Sequence, residues 1–164
     1  MAPPGKYTLA NHSSLPAGIR DSMTNILKNW DDNDSNSSYL SYFTPNATLN
    51  FSGPKIGRDA IRAARDGMIH ATNGPIVQCT HVLDSGFVNP EEEKGGEGGE
   101  IVIKGTVTYE LKNGRKVVCP VTSLGRFVKG VDEEWCQAEY YQVWMDTAEL
   151  GKAIGEMIGK EGGG

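Results

Sequence analysis

From Glu100 to Asp146 the chain reads as three successive β-rich runs separated by turns, and the first alternates apolar and polar residues, a period that no helix can satisfy. In the first run Ile101, Ile103, Val107, Tyr109 and Leu111 fall on one face, and Lys104, Thr106, Thr108 and Glu110 on the other. Successive side chains of a strand point to opposite faces, so this is a half-buried strand. Asn113-Gly114 then predicts a type I′ hairpin turn, because both of its central residues need positive φ. Arg115–Val128 predicts a second strand, Lys129–Glu134 a turn and Trp135–Met145 a third strand. An antiparallel meander with one apolar face must be covered, and the rest of the chain has to supply the cover.

Two amphipathic helices precede it. Ile19, Met23, Ile26, Leu27 and Trp30 recur at three- and four-residue steps after Leu15-Pro16, and the Asp/Asn/Ser run from Asp31 to Ser38 ends that helix in a loop. Ile61, Ala64, Met68 and Ile69 form the stripe of a second helix over 57–71. Between them lie a short helical turn at Tyr39–Phe43 and a short strand at Ala47–Ser52. Val77, Cys79, His81 and Leu83 alternate with Gln78, Thr80 and Asp84, which makes Ile76–Val88 a strand. Asn89–Gly99 is an acidic, Gly-rich loop without an apolar residue, and Ala148–Ile158 is a closing helix. The order predicts an α+β fold: a cone-shaped curved antiparallel sheet wrapped over N-terminal helices, with a pocket between them. Residues 1–14 are expected as a flexible arm, 15–160 as one domain and 161–164 as a flexible tail.

Composition narrows the function. The chain of 164 residues has a formal net charge of −5 and no basic cluster, which argues against nucleic acid and anionic membrane as partners. No apolar run approaches the ~18 residues of a membrane span. Cys79, Cys119 and Cys136 form no CxxC pair and are expected as buried free thiols of a reducing compartment. With no basic-then-apolar signal pattern at the start, the expected location is the cytoplasm. No HxH, HExxH or Cys/His cluster suggests a metal, no Gly-rich loop cradles phosphate and no GxSxG elbow is present. The expectation is no cofactor and no metal, which leaves acid–base work on a hydrophobic small molecule.

Tyr42-Phe43-Thr44-Pro45-Asn46-Ala47-Thr48-Leu49, Gly57-Arg58-Asp59-Ala60-Ile61-Arg62 and Tyr141-Gln142-Val143-Trp144-Met145-Asp146 resemble segments of the SnoaL-like proteins, in the nuclear transport factor 2-like superfamily. The resemblance implies the cone fold, a homodimer through the outer sheet face and cofactor-free cyclases, isomerases, dehydratases or epoxide hydrolases. It also points to fungal polyketide or meroterpenoid pathways. Gly74–Gly86, with Cys79-Thr80-His81-Val82, is similar to the strand carrying a catalytic His in scytalone dehydratase, and Trp30-Asp31-Asp32-Asn33-Asp34 echoes its acidic loop. The second catalytic His of that enzyme falls near Gly105, and the base of ketosteroid isomerase falls near Phe51.

Four residues are catalytic candidates. His81 shares the apolar face of its strand, where an imidazole acts as a base near neutral pH or is simply a hydrogen-bonded core residue. Glu139 shares a phase with Trp135, Gln137, Tyr141, Val143 and Met145, and among aromatic groups it would pair with His81 as acid or base. The opposite face, with Ala138, Tyr140 and Trp144, is equally apolar, so phase does not decide which one lines the pocket. Tyr109 is placed to hydrogen-bond a developing enolate, and Asp34 to orient water or His81 at the rim. Trp30, Tyr39, Phe51, Met68 and Tyr141 are the candidate substrate contacts, and Asp146 is expected to cap the last helix. The expected function is isomerisation or cyclisation of an apolar carbonyl-bearing secondary metabolite. Dehydration by Asp34 and His81 is the alternative, as is a non-catalytic binding or dimerisation module built on the outer Tyr140 and Trp144.

Overall fold

The structure, a computed structural model, describes residues 5–90 and 98–161. The first four residues, most of the acidic loop (91–97) and the final glycines lie outside it, so the expectations for that loop and for a flexible tail fall largely outside the described residues.

Helix α1 (Ala17–Asp31) begins after Pro16 and buries Ile19, Met23, Ile26 and Leu27 against the sheet. A 3-10 turn (Ser38–Tyr42) leads into β1 (Phe43–Asn50), which folds back through Ser52 and Gly53, both at positive φ, onto the short β2 (Pro54–Ile56). Helix α2 (Arg58–Met68) follows, then β3 (Ile76–Val88), β4 (Gly99–Leu111), β5 (Lys116–Val128), β6 (Gln137–Met145) and α3 (Ala148–Glu161). The strands form one curved, unclosed sheet in the order β2-β1-β6-β5-β4-β3. It is not wholly antiparallel, because β1 runs parallel to β6. The chain reaches that pairing through α2 and the strands β2 to β5, the long route a parallel pair requires. Among the described residues no helix is long and apolar enough to cross a membrane.

The β4–β5 connection differs from the predicted type I′ turn. Gly114 donates to the Leu111 carbonyl at 2.8 Å, and at that turn only Gly114 takes positive φ. The result is a type I turn with a left-handed glycine, the three-residue hairpin arrangement. Residues expected on one face of β4 are buried, among them Ile101, Ile103, Val107 and Leu111, and on β5 Val117 and Cys119 are buried beside them. The three cysteines are buried thiols. Asp146 accepts from the Ala148 amide at 2.9 Å, as a cap for α3 should.

The described residues of the N-terminal segment differ from a loose arm, because they lie along the outer edge of β3. Lys6 donates to the His81 carbonyl at 3.0 Å and accepts from the Leu83 amide at 2.8 Å, and Leu9 is buried in the main core. β3 is an edge strand, and its unpaired backbone groups recruit this segment.

The C-terminal end of α1 is held by Arg65 of α2. Its guanidinium donates to the Trp30 carbonyl at 2.7 and 3.2 Å and to the Asn33 side chain at 2.9 Å, satisfying a helix-end acceptor with positive charge. Gln78 of β3 donates to the Asp31 carbonyl at 2.6 Å and completes the clamp. Arg65→Ala removes the side-chain donors to the half-buried Trp30 carbonyl and to Asn33 and should cost about 2 kcal/mol, read as a lower urea midpoint with unchanged slope.

Candidate active site

α1 and β3 meet at one buried carboxylate. Asp31, the last residue of α1, is 5% exposed, and His81 on the inward face of β3 is 7% exposed. The Nδ1 nitrogen of His81 lies 2.7 Å from Asp31 Oδ1, and the His81 backbone N–H donates to Oδ2 at 2.6 Å. An ionised carboxylate only accepts, so Nδ1 is the donor to Asp31 and Nε2 is the ring nitrogen left for proton exchange. Tyr7 O–H donates to Oδ2 at 2.7 Å, and Cys79 Sγ–H donates to Oδ1 at 3.2 Å. Burial pushes the Cys79 thiol well above its ordinary value, and the neighbouring Asp31 charge adds to the effect.

His81 lines an apolar cavity of about 70 Å³, several times the ~10–15 Å³ that one water needs. Leu27, Trp30, Phe43 and Leu49 wall it from the helix and β1 side, and Tyr109, Val121, Tyr141 and Val143 from the sheet. Half-buried Phe51, Lys55, Ala64 and Met68 complete the lining, with Lys55 Nζ donating to the Gly53 carbonyl at 3.3 Å. Two tyrosines of the lining, Tyr109 and Tyr141, carry hydroxyls without a strong acceptor. Tyr109 reaches only the Met145 sulfur at 3.7 Å. The buried Tyr141 hydroxyl makes no hydrogen bond of acceptable geometry, although Ser123, also in the lining, is near enough to ease its ionisation. Burial raises both phenols, so they are donors.

The structure brings His81, Tyr109, Trp30, Phe51, Met68 and Tyr141 together around the cavity. Tyr39 is buried behind Trp30, edge-on at 5.0 Å, and is not part of the lining. Glu139 does not join His81. It is the extra residue of a β-bulge, since Arg126 pairs with Tyr140 and Phe127 with Ala138. The extra residue breaks the period of two, so Tyr141, Val143 and Met145 face the cavity while Glu139 is exposed. Asp34 is also exposed, its amide bonded to Asp32 within its own turn. The carboxylate that meets His81 is Asp31, three residues earlier. Its signal was phase: Asp31 sits four residues after Leu27 and eight after Met23, on the buried stripe of α1. Ser123 carried a similar signal, sharing the inward phase of β5 with Val117, Cys119 and Val121. Nothing in the pattern of the first ten residues pointed to Tyr7.

Asp31, Cys79 and His81 offer metal-ligand atoms within 4.8 Å of one another, the group of that kind among the described residues. Their chemistry fits a hydrogen-bonded cluster better, because a thiol kept protonated by burial and a protonated Nδ1 both donate to the carboxylate that would have to bind the ion.

No family model and no curated protein matches the chain. Solved structures do. An NTF2-like protein of unknown function from Burkholderia pseudomallei aligns at 21% identity and TM-score 0.57, over 82% of this chain and 97% of that one. The chain has the nuclear transport factor 2-like fold. A candidate SnoaL-like polyketide cyclase from Jannaschia sp. CCS1 aligns at 14% identity and TM-score 0.61, over 82% of this chain and 89% of its own. A candidate scytalone dehydratase from Novosphingobium aromaticivorans aligns at 11% identity and TM-score 0.64, over 79% and 82%. At these identities the likeness shows the fold alone. The position that resemblance assigned to a second histidine is closed here: a Cβ on Gly105 would run into the Val82 carbonyl oxygen.

The raised phenols are testable without a substrate. Tyr7, Tyr109 and Tyr141 all titrate above the ordinary value near 10 in the folded chain. The unfolded chain loses those protons first, so their contribution to stability is complete below about pH 10 and is lost as pH rises beyond it. Phenolate absorbance at pH 11 should report fewer than the six tyrosines of the sequence, and denaturant should release the remainder.

Proposed function

We propose that the protein is a cofactor-free isomerase or cyclase acting on a small, mostly apolar, carbonyl-bearing metabolite, with His81 as the base and Asp31, rather than Glu139, as the carboxylate beside it, which orients the ring. The observation that carries this reading is a buried Asp31–His81 pair whose histidine lines an apolar cavity. Nδ1–H is committed to the carboxylate, which orients the ring and stabilises its cationic form once Nε2 has taken a proton.

The Nε2 lone pair removes a proton from the carbon beside the substrate carbonyl. The C–H electrons become a C=C bond, and the carbonyl π electrons move onto oxygen. Tyr109 and Tyr141, hydroxyl donors lacking a strong acceptor, are suited to hydrogen-bond that enolate oxygen. For isomerisation, Nε2–H returns the proton at a second carbon. For cyclisation, the enolate carbon attacks another carbonyl of the same molecule, and the resulting alkoxide takes the proton. The apolar lining excludes water that would otherwise protonate the intermediate. The dehydratase alternative has less support, since Asp34 lies outside the cavity and Gly105 cannot carry a second imidazole. The outer sheet face, where Val118 and Trp144 are exposed, is the surface on which two copies would pair in this reading.

Deuterium wash-in beside the carbonyl, followed by NMR over a panel of aryl ketones and β-diketones in D2O, tests the chemistry without knowing the product. The protein should accelerate exchange for a subset of compounds. His81→Ala should reduce it about 10³-fold, Tyr109→Phe about tenfold, and Glu139→Gln should leave it unchanged. Equal rates for His81→Ala and the unaltered protein would remove the mechanism.

A further inference from the structure

The Asp31 carboxylate has four lone-pair positions, and each is filled. Oδ1 accepts from His81 Nδ1 and Cys79 Sγ, and Oδ2 accepts from the His81 amide and Tyr7 O–H. Three of these donors belong to β3. The fourth comes from the N-terminal segment, about 70 residues away in sequence, and it approaches from a different element.

We propose that the N-terminal segment is part of the active site, with Tyr7 as a positioning residue that fixes the Asp31 carboxylate and, through it, the His81 ring. Tyr7 does not line the cavity, so it touches no substrate. Even with the helix end clamped, a carboxylate can turn about its side-chain bonds, and donors from β3 alone leave that rotation opposed from one side. Tyr7 Oη, 2.7 Å from Oδ2, opposes it from the other. The phenol is itself held, because Lys6 forms a parallel bridge with Val82 and Leu9 is anchored in the core. Burial and the Asp31 charge both raise the phenol, so it stays a donor. A ring without the hydroxyl would pack as well, so the hydroxyl's purpose is the carboxylate.

The catalytic part of this inference rests on the proposed function, whereas its structural part does not. The experiment therefore reads both, using Tyr7→Phe and a chain lacking residues 1–7, which keeps Leu9. Amide hydrogen exchange gives the activity-independent readout, because the His81 N–H is hydrogen-bonded to the same oxygen as Tyr7. In Tyr7→Phe the His81 amide should exchange at least tenfold faster, while amides of the β4–β5 ladder keep their protection. For deuterium wash-in on an accepted ketone, kcat should fall about tenfold with KM unchanged, the truncated chain should match, and Tyr7→Phe should add no loss to Asp31→Asn. Unchanged His81 protection overturns the proposal, and so does a loss confined to KM or fully additive with Asp31→Asn. If His81→Ala leaves wash-in intact while Tyr7→Phe still exposes the His81 amide, the positioning role stands and the assigned chemistry fails.

Discussion

A carboxylate buried at the end of a helix has to be satisfied, and in this chain satisfying it ties α1, β3 and the N-terminal segment to one point. Asp31 brings a charge to a position only 5% exposed, where an unpaired ion would be costly. The donors that compensate it come from His81, Cys79 and Tyr7, and they set how close the helix end lies to the edge strand. Arg65 and Gln78 secure the neighbouring backbone carbonyls, so the carboxylate is fixed from every side. The same contacts leave Nε2 of His81 as the free nitrogen at the cavity wall.

The curved sheet makes that arrangement chemically useful. Its inner face carries Tyr109, Ser123 and Tyr141 into the cavity opposite the helix, while the bulge at Glu139 keeps the inward phase of β6 apolar apart from the Tyr141 hydroxyl. Had the strand continued without the extra residue, Glu139 would share the inward side with Tyr141, and a second carboxylate would stand in the pocket. One inserted residue separates a site with a lone imidazole base from one with an acid–base pair. The hydroxyls around the base are buried donors in search of an acceptor, which favours a ligand that develops negative charge on oxygen.

The elements were legible because their signals are local. Period-two alternation placed β3 and β4 within a residue or two, β-rich composition between two turns placed β5, and the apolar stripe placed α1. Parity also placed His81 and Tyr109 inward. Parity fails at a bulge, however, because an extra residue leaves no mark in the hydrophobic pattern, and Glu139 stood at that point. Asp31 was hidden by composition: in Trp30-Asp31-Asp32-Asn33-Asp34 the acidic residues look alike, and only helical phase separates the buried one from the exposed Asp34. The contact between Tyr7 and Asp31 spans 24 residues and obeys no period, so only the folded chain reveals it.

The account stands on the state of one ring. Nitrogen-15 NMR of the His81 imidazole, recorded where the ring is neutral, tests it most directly. The structure predicts a single tautomer, protonated at Nδ1 and bare at Nε2, that is lost in Asp31→Asn. A ring protonated at Nε2, or one whose tautomers are indifferent to Asp31, would contradict the account.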